Sequence, residues 1–224
     1  MEDWQSRTRL LLGNERLQRL QQAHILVVGV GGVGAYAAEM LCRAGVGTLT
    51  IVDGDVVSHS NRNRQLLALT STIGLPKVEI MAARLRDINP EIKINLVQQY
   101  LRDEEFDTLL AQKFDYVVDA IDTLLPKVNF IEKCLAQKLR VVSSMGAGGR
   151  LDPTKIEVAD IDKSHHCPLA YMLRKRLHQR GIRTDVKVVF SPEAIDPRAM
   201  EESHGEQNKK TTVGTISYMP AVFG

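Results

Sequence analysis

The chain has 224 residues, 44% of them hydrophobic and 25% charged, with a formal net charge of +2. That length suits one sizeable core, or a core with a small annex, and so small an excess charge excludes polyanion binding by bulk charge, leaving only a local patch to argue it. Three cysteines, Cys42, Cys134 and Cys167, lie far apart and never as a C-x-x-C pair, which argues against a disulfide framework and a four-cysteine zinc site and fits a reducing compartment. The start MEDWQSRTRL is charged, and no run approaches about 18 apolar residues, so a cytoplasmic protein is expected.

In chain order, helical patterns are expected at 13–22, 32–45, 76–88, 103–111, 124–137 and 168–180. Between them come β-branched runs at 24–30, 48–53, 92–97, 115–121, 139–144, 155–161 and 186–191. Runs such as Ile25 to Val28 and Tyr116 to Val118 are apolar on both faces, as strands of a helix-covered parallel sheet should be. The alternation up to about residue 144 predicts a doubly wound, Rossmann-like α/β sheet, mostly parallel. Beyond it the pattern is richer in strands, predicting antiparallel additions to the sheet. One domain over 1–224 is expected: a nucleotide-binding core at 1–150 and a C-terminal extension at 151–224 carrying a basic helix and, at 192–212, a polar mobile loop. The final ISYMPAVFG shows no helix stop and reads as an internal boundary.

The stretch ILVVGVGGVGAYAAEML, residues 25–41, reads as strand, glycine turn and helix. Gly29, Gly31 and Gly34 fit G-x-G-x-x-G, with Gly32 in addition. Such a turn needs positive φ at one position and close backbone approach to a phosphate at another, and the helix after it offers free N–H groups to that anion. Asp53, 24 residues after Gly29, ends the next strand, where a carboxylate accepts ribose hydroxyls. Nucleotide binding follows, but the glycines do not separate NAD from ATP. The next segment does: GDVVSHSNRNRQLLALTSTIGLPK brings Asn61, Arg62, Arg64 and Lys77 beside the nucleotide. Cations suit a polyphosphate being split, and hydride transfer has no use for them. VVDAID then places Asp119 and Asp122 at the carboxyl end of a central strand, with Asp122 suited to a magnesium ion on the phosphates and Asp119 to a strand-end hydrogen bond.

GVGGVG, IVDGD, SNRNRQ, GLPKVE and VVDAID, in this order and spacing, resemble the adenylating domain of the ubiquitin-activating-enzyme superfamily that includes the ThiF and MoeB proteins. The resemblance implies ATP and Mg2+ as cofactors, with Asp53 as ribose ligand, Asn61 and Arg64 as phosphate contacts, Lys77 touching the phosphates and Asp122 holding the metal. Arg7, or Arg9 in competition with it, is similar to the arginine that such homodimers insert into the neighbouring subunit's site. The two C-x-x-C pairs of the ThiF and MoeB branch are absent, which weakens the alternative of adenylating the C-terminus of a ubiquitin-like sulfur carrier. AIDTLLPK, GAGGRLDPTKIEVADI, CPLAYMLRKRL and VVFSPE instead resemble the tRNA threonylcarbamoyladenosine dehydratase branch. That resemblance implies ATP-dependent cyclisation of threonylcarbamoyladenosine beside the tRNA anticodon, through adenylation of its threonyl carboxylate. It also implies a tRNA partner and no DNA partner, with a cysteine desulfurase or sulfur-acceptor system as a further partner.

The residues from 168 to 187 hold six Lys or Arg against one acid, Asp185. Arg174, Lys175 and Arg180 are the candidate tRNA phosphate contacts there, against the plain alternative of a solvated helix face. Cys167, in SHHCPLA, is a candidate nucleophilic thiol; His165, His166 and Cys167 are too close in sequence to share one tetrahedral metal site. Cyclisation needs no thiol, because the neighbouring carbamoyl oxygen reaches the adenylate intramolecularly. The loop at 143–150, SSMGAGGR, offers small residues, Gly146, Gly148 and Gly149, past which a substrate arm could run, and Lys127 is a further candidate for facing the substrate.

Overall fold

A computed structural model of the chain describes residues 3–201 and 212–224. Two short helices come first, α1 (Ser6–Leu12) and α2 (Asn14–Gln22), broken at Gly13, whose φ of +78° a residue with a side chain rarely adopts. Then strands and helices alternate: β1 (His24–Val28), α3 (Gly34–Ala44), β2 (Thr48–Val52), α4 (Lys77–Ile88), β3 (Lys93–Val97), α5 (Asp103–Leu110), β4 (Tyr116–Asp119), α6 (Leu124–Ala136) and β5 (Val141–Ser144). The C-terminal part adds β6 (Glu157–Asp160), α7 (Pro168–Gln179), β7 (Lys187–Phe190), β8 (Met200–Glu201), β9 (Thr212–Val213) and α8 (Tyr218–Phe223).

Seven strands form one sheet in the order β3-β2-β1-β4-β5-β7-β6. All neighbours run parallel except β6, which pairs antiparallel with β7 at the outer edge. The expected doubly wound sheet is thus present; of its two added strands β7 continues the parallel set and β6 alone reverses. Alternation along β1 shows why both faces must be covered. Ile25 and Val27 join Cys42, Val78, Met81 and Leu85 of α3 and α4, while Leu26 and Val28 join Phe106 and Phe130 of α5 and α6. A third cluster seats Leu173 and Leu177 of α7 on Ile131 of α6 and on Val188 and Phe190 of β7. Edge strands β3 and β6 are largely exposed and carry Lys93 and Glu157, charges that discourage pairing with another sheet.

One expectation changes, and one short helix is added. The flanks of the expected mobile loop are built structure: Met200 and Glu201 pair antiparallel with Val213 and Thr212, and a 3-10 turn at Pro197–Ala199 precedes them. Residues 202–211 of that loop lie outside the described residues. The apolar run near residue 224 forms α8, which buries Met219 and Phe223 beside Ala147 and Val33. Periodicity could not reveal so short a helix, nor α1, which buries none of its residues.

Candidate active site

Strands β1 and β4 are neighbours although β2 leaves to one side and β5 to the other, so the crevice opens beyond their carboxyl ends. The glycine turn fills its floor. Gly29 has φ +90°, and a Cβ there would stand 2.7 Å from the carbonyl oxygen of Ala120, in the loop after β4. A Cβ on Gly34, the first residue of α3, would stand 1.8 Å from the oxygen of Gly29. Both glycines are dictated by the protein's own backbone. Gly31 is different: nothing lies within 3.8 Å of its Cβ position, and the nearest atom is Nε2 of Gln65. Space over a turn glycine, with α3 starting just beyond, is what a phosphate needs.

The loop after β2 folds back over this turn. The Arg64 carbonyl oxygen lies 3.7 Å from the Cβ position of Gly32, so Gly32 joins Gly31 beneath the loop. The Asn61 Oδ1 accepts the Ser58 N–H at 3.1 Å, closing a 3-10 turn, and Asn63 Nδ2 donates to the Thr215 carbonyl at 2.9 Å. Arg64 is half-buried, and its Nη1 donates to Ser60 O and Asn63 Oδ1, both at 2.9 Å. Its charge is therefore placed by neutral acceptors. The Gln65 Oε1 is buried with no hydrogen-bond partner, a second unspent polar group beside the turn.

Asp53 caps β2 and organises the same loop. Its Oδ2 accepts Val30 N–H at 2.7 Å, inside the glycine turn, and its Oδ1 accepts Asp55 N–H at 2.8 Å. Burial pushes its carboxyl above the ordinary range, against the pull of the Lys77 ammonium and these two N–H groups. Lys77 begins α4 with its side chain almost wholly buried and its Nζ 2.6 Å from Asp55 Oδ2. Tyr100, beyond β3, donates its hydroxyl to Asp55 and lies against Gly54, and that bond raises the phenol to about 12. Sequence reasoning missed Asp55 and Tyr100; the only signal was a second acid two residues after Asp53.

Beyond β4 the two aspartates part company, as expected. Asp119 is fully buried, 2.8 Å from Lys127 Nζ, and accepts Ser143 Oγ–H at 2.6 Å and Ile121 N–H at 3.0 Å. Lys127, suggested above to face the substrate, does not: it is fully buried and divides its protons between Asp119 and the Ile121 carbonyl at 2.9 Å. Asp122 lies exposed three residues on, in the loop to α6. No three His, Cys, Asp or Glu side chains cluster as a metal site among the described residues.

The remaining candidates lie elsewhere. Arg7 is exposed on α1, and Gln5 of the same segment reaches Gln21 and the Cβ position of Gly45, at the sheet's amino-terminal end away from the crevice. Arg9 is drawn to Asp3 at 2.5 Å. On α7, Arg174 Nη1 donates to Ser164 O at 2.5 Å and Ser164 Oγ at 2.8 Å, and Arg180 pairs with Glu132 of α6, whereas Lys175 is exposed and makes no such tie among the described residues. Tyr171, Arg174, Lys175, His178 and Gln179 line a groove of about 460 Å³. Cys167 is buried in the cluster under α7, which removes it as an accessible nucleophile. Arg150, after β5, is buried and was missed, because a sequence does not show which arginine loses its water.

Comparison with known proteins identifies the relatives of this chain. The ThiF family model matches residues 5–224. A tRNA threonylcarbamoyladenosine dehydratase of Bacillus subtilis is 43% identical over 98% of this chain and 89% of its own length. That of Escherichia coli is 41% identical over 86% of this chain and 75% of its own. The E. coli enzyme TcdA, solved in complex with ATP, superposes with a TM-score of 0.89 at 37% identity, covering all of this chain and 90% of that one. The chain belongs to the ThiF family, within its tRNA threonylcarbamoyladenosine dehydratase branch.

Proposed function

We propose that the chain uses ATP to cyclise threonylcarbamoyladenosine in tRNA beside the anticodon, with loss of one water, through an adenylate of the threonyl carboxylate. What supports this is a glycine turn held by Asp53 through Val30 N–H and overlain by the Arg64 backbone, with open space above Gly31, Lys77 held beside Asp55, and Asp122 in the loop after β4. Asp53 would hold the ribose, and the N–H groups opening α3 would face the phosphates. A carboxylate oxygen attacks the α-phosphorus, the bond to the bridging oxygen breaks, and pyrophosphate leaves. Arg64 and Lys77 stabilise that leaving charge, Lys77 exchanging Asp55 for phosphate. The carbamoyl oxygen then attacks the acyl carbon, AMP departs with one carboxylate oxygen, and a ureido N–H gives up its proton to solvent, leaving a neutral ring. Held in one molecule, those groups react at high effective concentration. Asp122 would hold magnesium, which would supply further charge neutralisation on the phosphates.

The site is completed in a homodimer. Leu10 and Leu11 are 87% and 83% exposed on α1, beside Arg7, and a second copy covering them would carry Arg7 towards its neighbour's crevice. tRNA phosphates would track the basic face of α7 through Lys175, with Arg174 and Arg180 adding field from fixed positions. The protein would act in the cytoplasm; no helix among the described residues is long and apolar enough to cross a membrane. The test is incubation with ATP and tRNA bearing threonylcarbamoyladenosine, followed by mass spectrometry of the nucleosides. Loss of one water with release of AMP and pyrophosphate supports the reading; unchanged nucleoside alongside ATP consumed on a small diglycine-ended protein overturns it.

A further inference from the structure

Arg150 lies in the loop after β5, and its side chain is 1% exposed. Its Nε and Nη1 are buried without any hydrogen-bond partner, and no carboxylate pairs with it among the described residues. The other buried cations are matched: Lys127 with Asp119, Lys77 with Asp55. A guanidinium stripped of water and given nothing in return destabilises the fold that holds it. Nor does its loop need it as an anchor. Glu193 Oε2 accepts Leu151 and Asp152 N–H at 3.0 and 2.9 Å, Gly149 N–H donates to Gly214 O at 2.7 Å, and the Tyr218 hydroxyl donates to Leu151 O at 2.8 Å. A buried charge that the architecture does not use marks a place where an anion arrives.

The same loop is joined to the phosphate turn. Tyr218 and Pro220 both belong to α8; the first holds Leu151, and the second stands 3.1 Å from the Cβ position of Gly32. Gly148 and Gly149 are packed against Val213 and Ile195, but Gly146 has nothing closer than 4.0 Å to its Cβ position. Backbone in this loop is therefore open at one point only of its three glycines. In the sheet, β5 lies beyond β4, on the opposite side of the switch from Asp53 and the ribose.

We infer that Arg150 is the receptor for the carboxylate of the acceptor, holding one threonyl oxygen while the other attacks the α-phosphorus. This rests on the dehydration reading above. A phosphate of ATP has the same oxyanion chemistry, and the position beyond β4 favours the acceptor over it. Nε and Nη1 have no hydrogen-bond partner and no carboxylate pairs with the group among the described residues, so it meets the acceptor carboxylate without first breaking an ion pair.

The test compares wild type with Arg150→Met and Arg150→Lys in four readings: melting temperature, ATP affinity, dehydration rate, and affinity for tRNA bearing threonylcarbamoyladenosine against the same tRNA with plain adenosine. Arg150→Met should melt several degrees higher, since an unpaired buried charge is removed. It should bind ATP as wild type does, lose its preference for the modified tRNA, and lose on the order of 100-fold in kcat/KM for that tRNA. Arg150→Lys should recover part of both losses. A Met variant that melts lower shows Arg150 to be structural, and one that loses ATP affinity while keeping its tRNA preference assigns the guanidinium to phosphate; either overturns the inference. Wild type that removes no water sinks the dehydration reading, whereas wild-type turnover with an indifferent Met variant sinks only the role of Arg150.

Discussion

The two walls of the crevice treat charge in opposite ways. On the β4 side Asp119 and Lys127 are fully buried and saturated: the carboxylate meets an ammonium, a hydroxyl and an N–H, and the ammonium meets a second acceptor at Ile121. On the β2 side Arg64 has only neutral partners, Asp53 is held by two N–H groups with its carboxyl raised by burial, and Lys77 leans on a single carboxylate edge. Both walls carry acids and bases at the carboxyl ends of parallel strands, so residue type does not separate them. What separates them is spare valence. A charge whose hydrogen bonds are all answered from within is architecture, and one left partly unanswered in a crevice is available to a ligand.

The strongest way to break that comparison is to unbalance the saturated wall. Lys127→Met leaves Asp119 buried and short of its main partner, and should cost about 3–5 kcal/mol of stability. Asp119→Leu should cost as much, while the double variant should recover most of the loss, because two matched charges are replaced by apolar volume. Urea titration of the three proteins gives the coupling directly. If Lys127→Met is folded as firmly as wild type but inactive, the pair is catalytic rather than structural and the distinction between the walls fails.

The unsaturated wall should respond the other way. Arg64→Ala and Asp122→Ala change side chains outside the buried core, so melting temperatures should stay within about 2–3 °C of wild type. Turnover should fall by roughly 100-fold or more in each, as when a group stabilising transition-state charge is lost. Loss of kcat with little change in KM for tRNA is the expected pattern. Melting curves and steady-state rates on modified tRNA decide it, and activity within threefold of wild type in both variants would remove them from the site.

The same distinction explains how far the sequence could be read. Strand periodicity and the glycine turn made the doubly wound sheet legible, because parallel strands must be apolar on both faces and Gly34 answers to a backbone contact close in sequence, the Gly29 oxygen. The places of Asp53 and Lys77 were legible because their motifs fix them at the end of β2 and the start of α4. Lys127 was misjudged since its partner, Asp119, is eight residues away across a turn, and only coordinates show that it points inward. Arg150 passed unnoticed for the converse reason: nothing in GAGGR tells a solvated arginine from one with two buried, unpartnered nitrogens. Asp55 and Tyr100 meet only when β3 is laid beside β2.

On α7 the comparison repeats at the surface with a smaller expected effect. Arg174 is bound to the Ser164 backbone and Arg180 to Glu132, whereas Lys175 and Arg176 are exposed. Replacing Lys175 and Arg176 with Ala should weaken tRNA binding several-fold and lower the salt dependence by about one to two units of log–log slope. Arg180→Ala should change the slope less, since its charge is already answered by Glu132. Filter binding across a salt series measures both. A slope that Arg180→Ala reduces as much as the double variant would show that an internal partner does not withhold a surface cation from tRNA.

The smallest effects belong to the thiols. Cys167 is buried among Ile131, Leu173 and Phe190 with no open face towards the crevice, and cyclisation by the carbamoyl oxygen forms no thioester. Cys167→Ala should therefore cost about 1 kcal/mol of packing and leave turnover within twofold. A trapped thioester, or loss of turnover without loss of stability, would restore the nucleophile. Cys42, on the buried face of α3, extends the point to pH. Burial raises its thiol from 9.0 to about 11, so the fold keeps a proton that the unfolded chain gives up first. Its contribution is complete below about pH 9 and is lost as pH rises towards 11, so the melting temperature should fall across that window. Cys42→Ala, melted at pH 8 and pH 10.5, should show a shallower fall than wild type, while a fall of equal size would place its source in some other group.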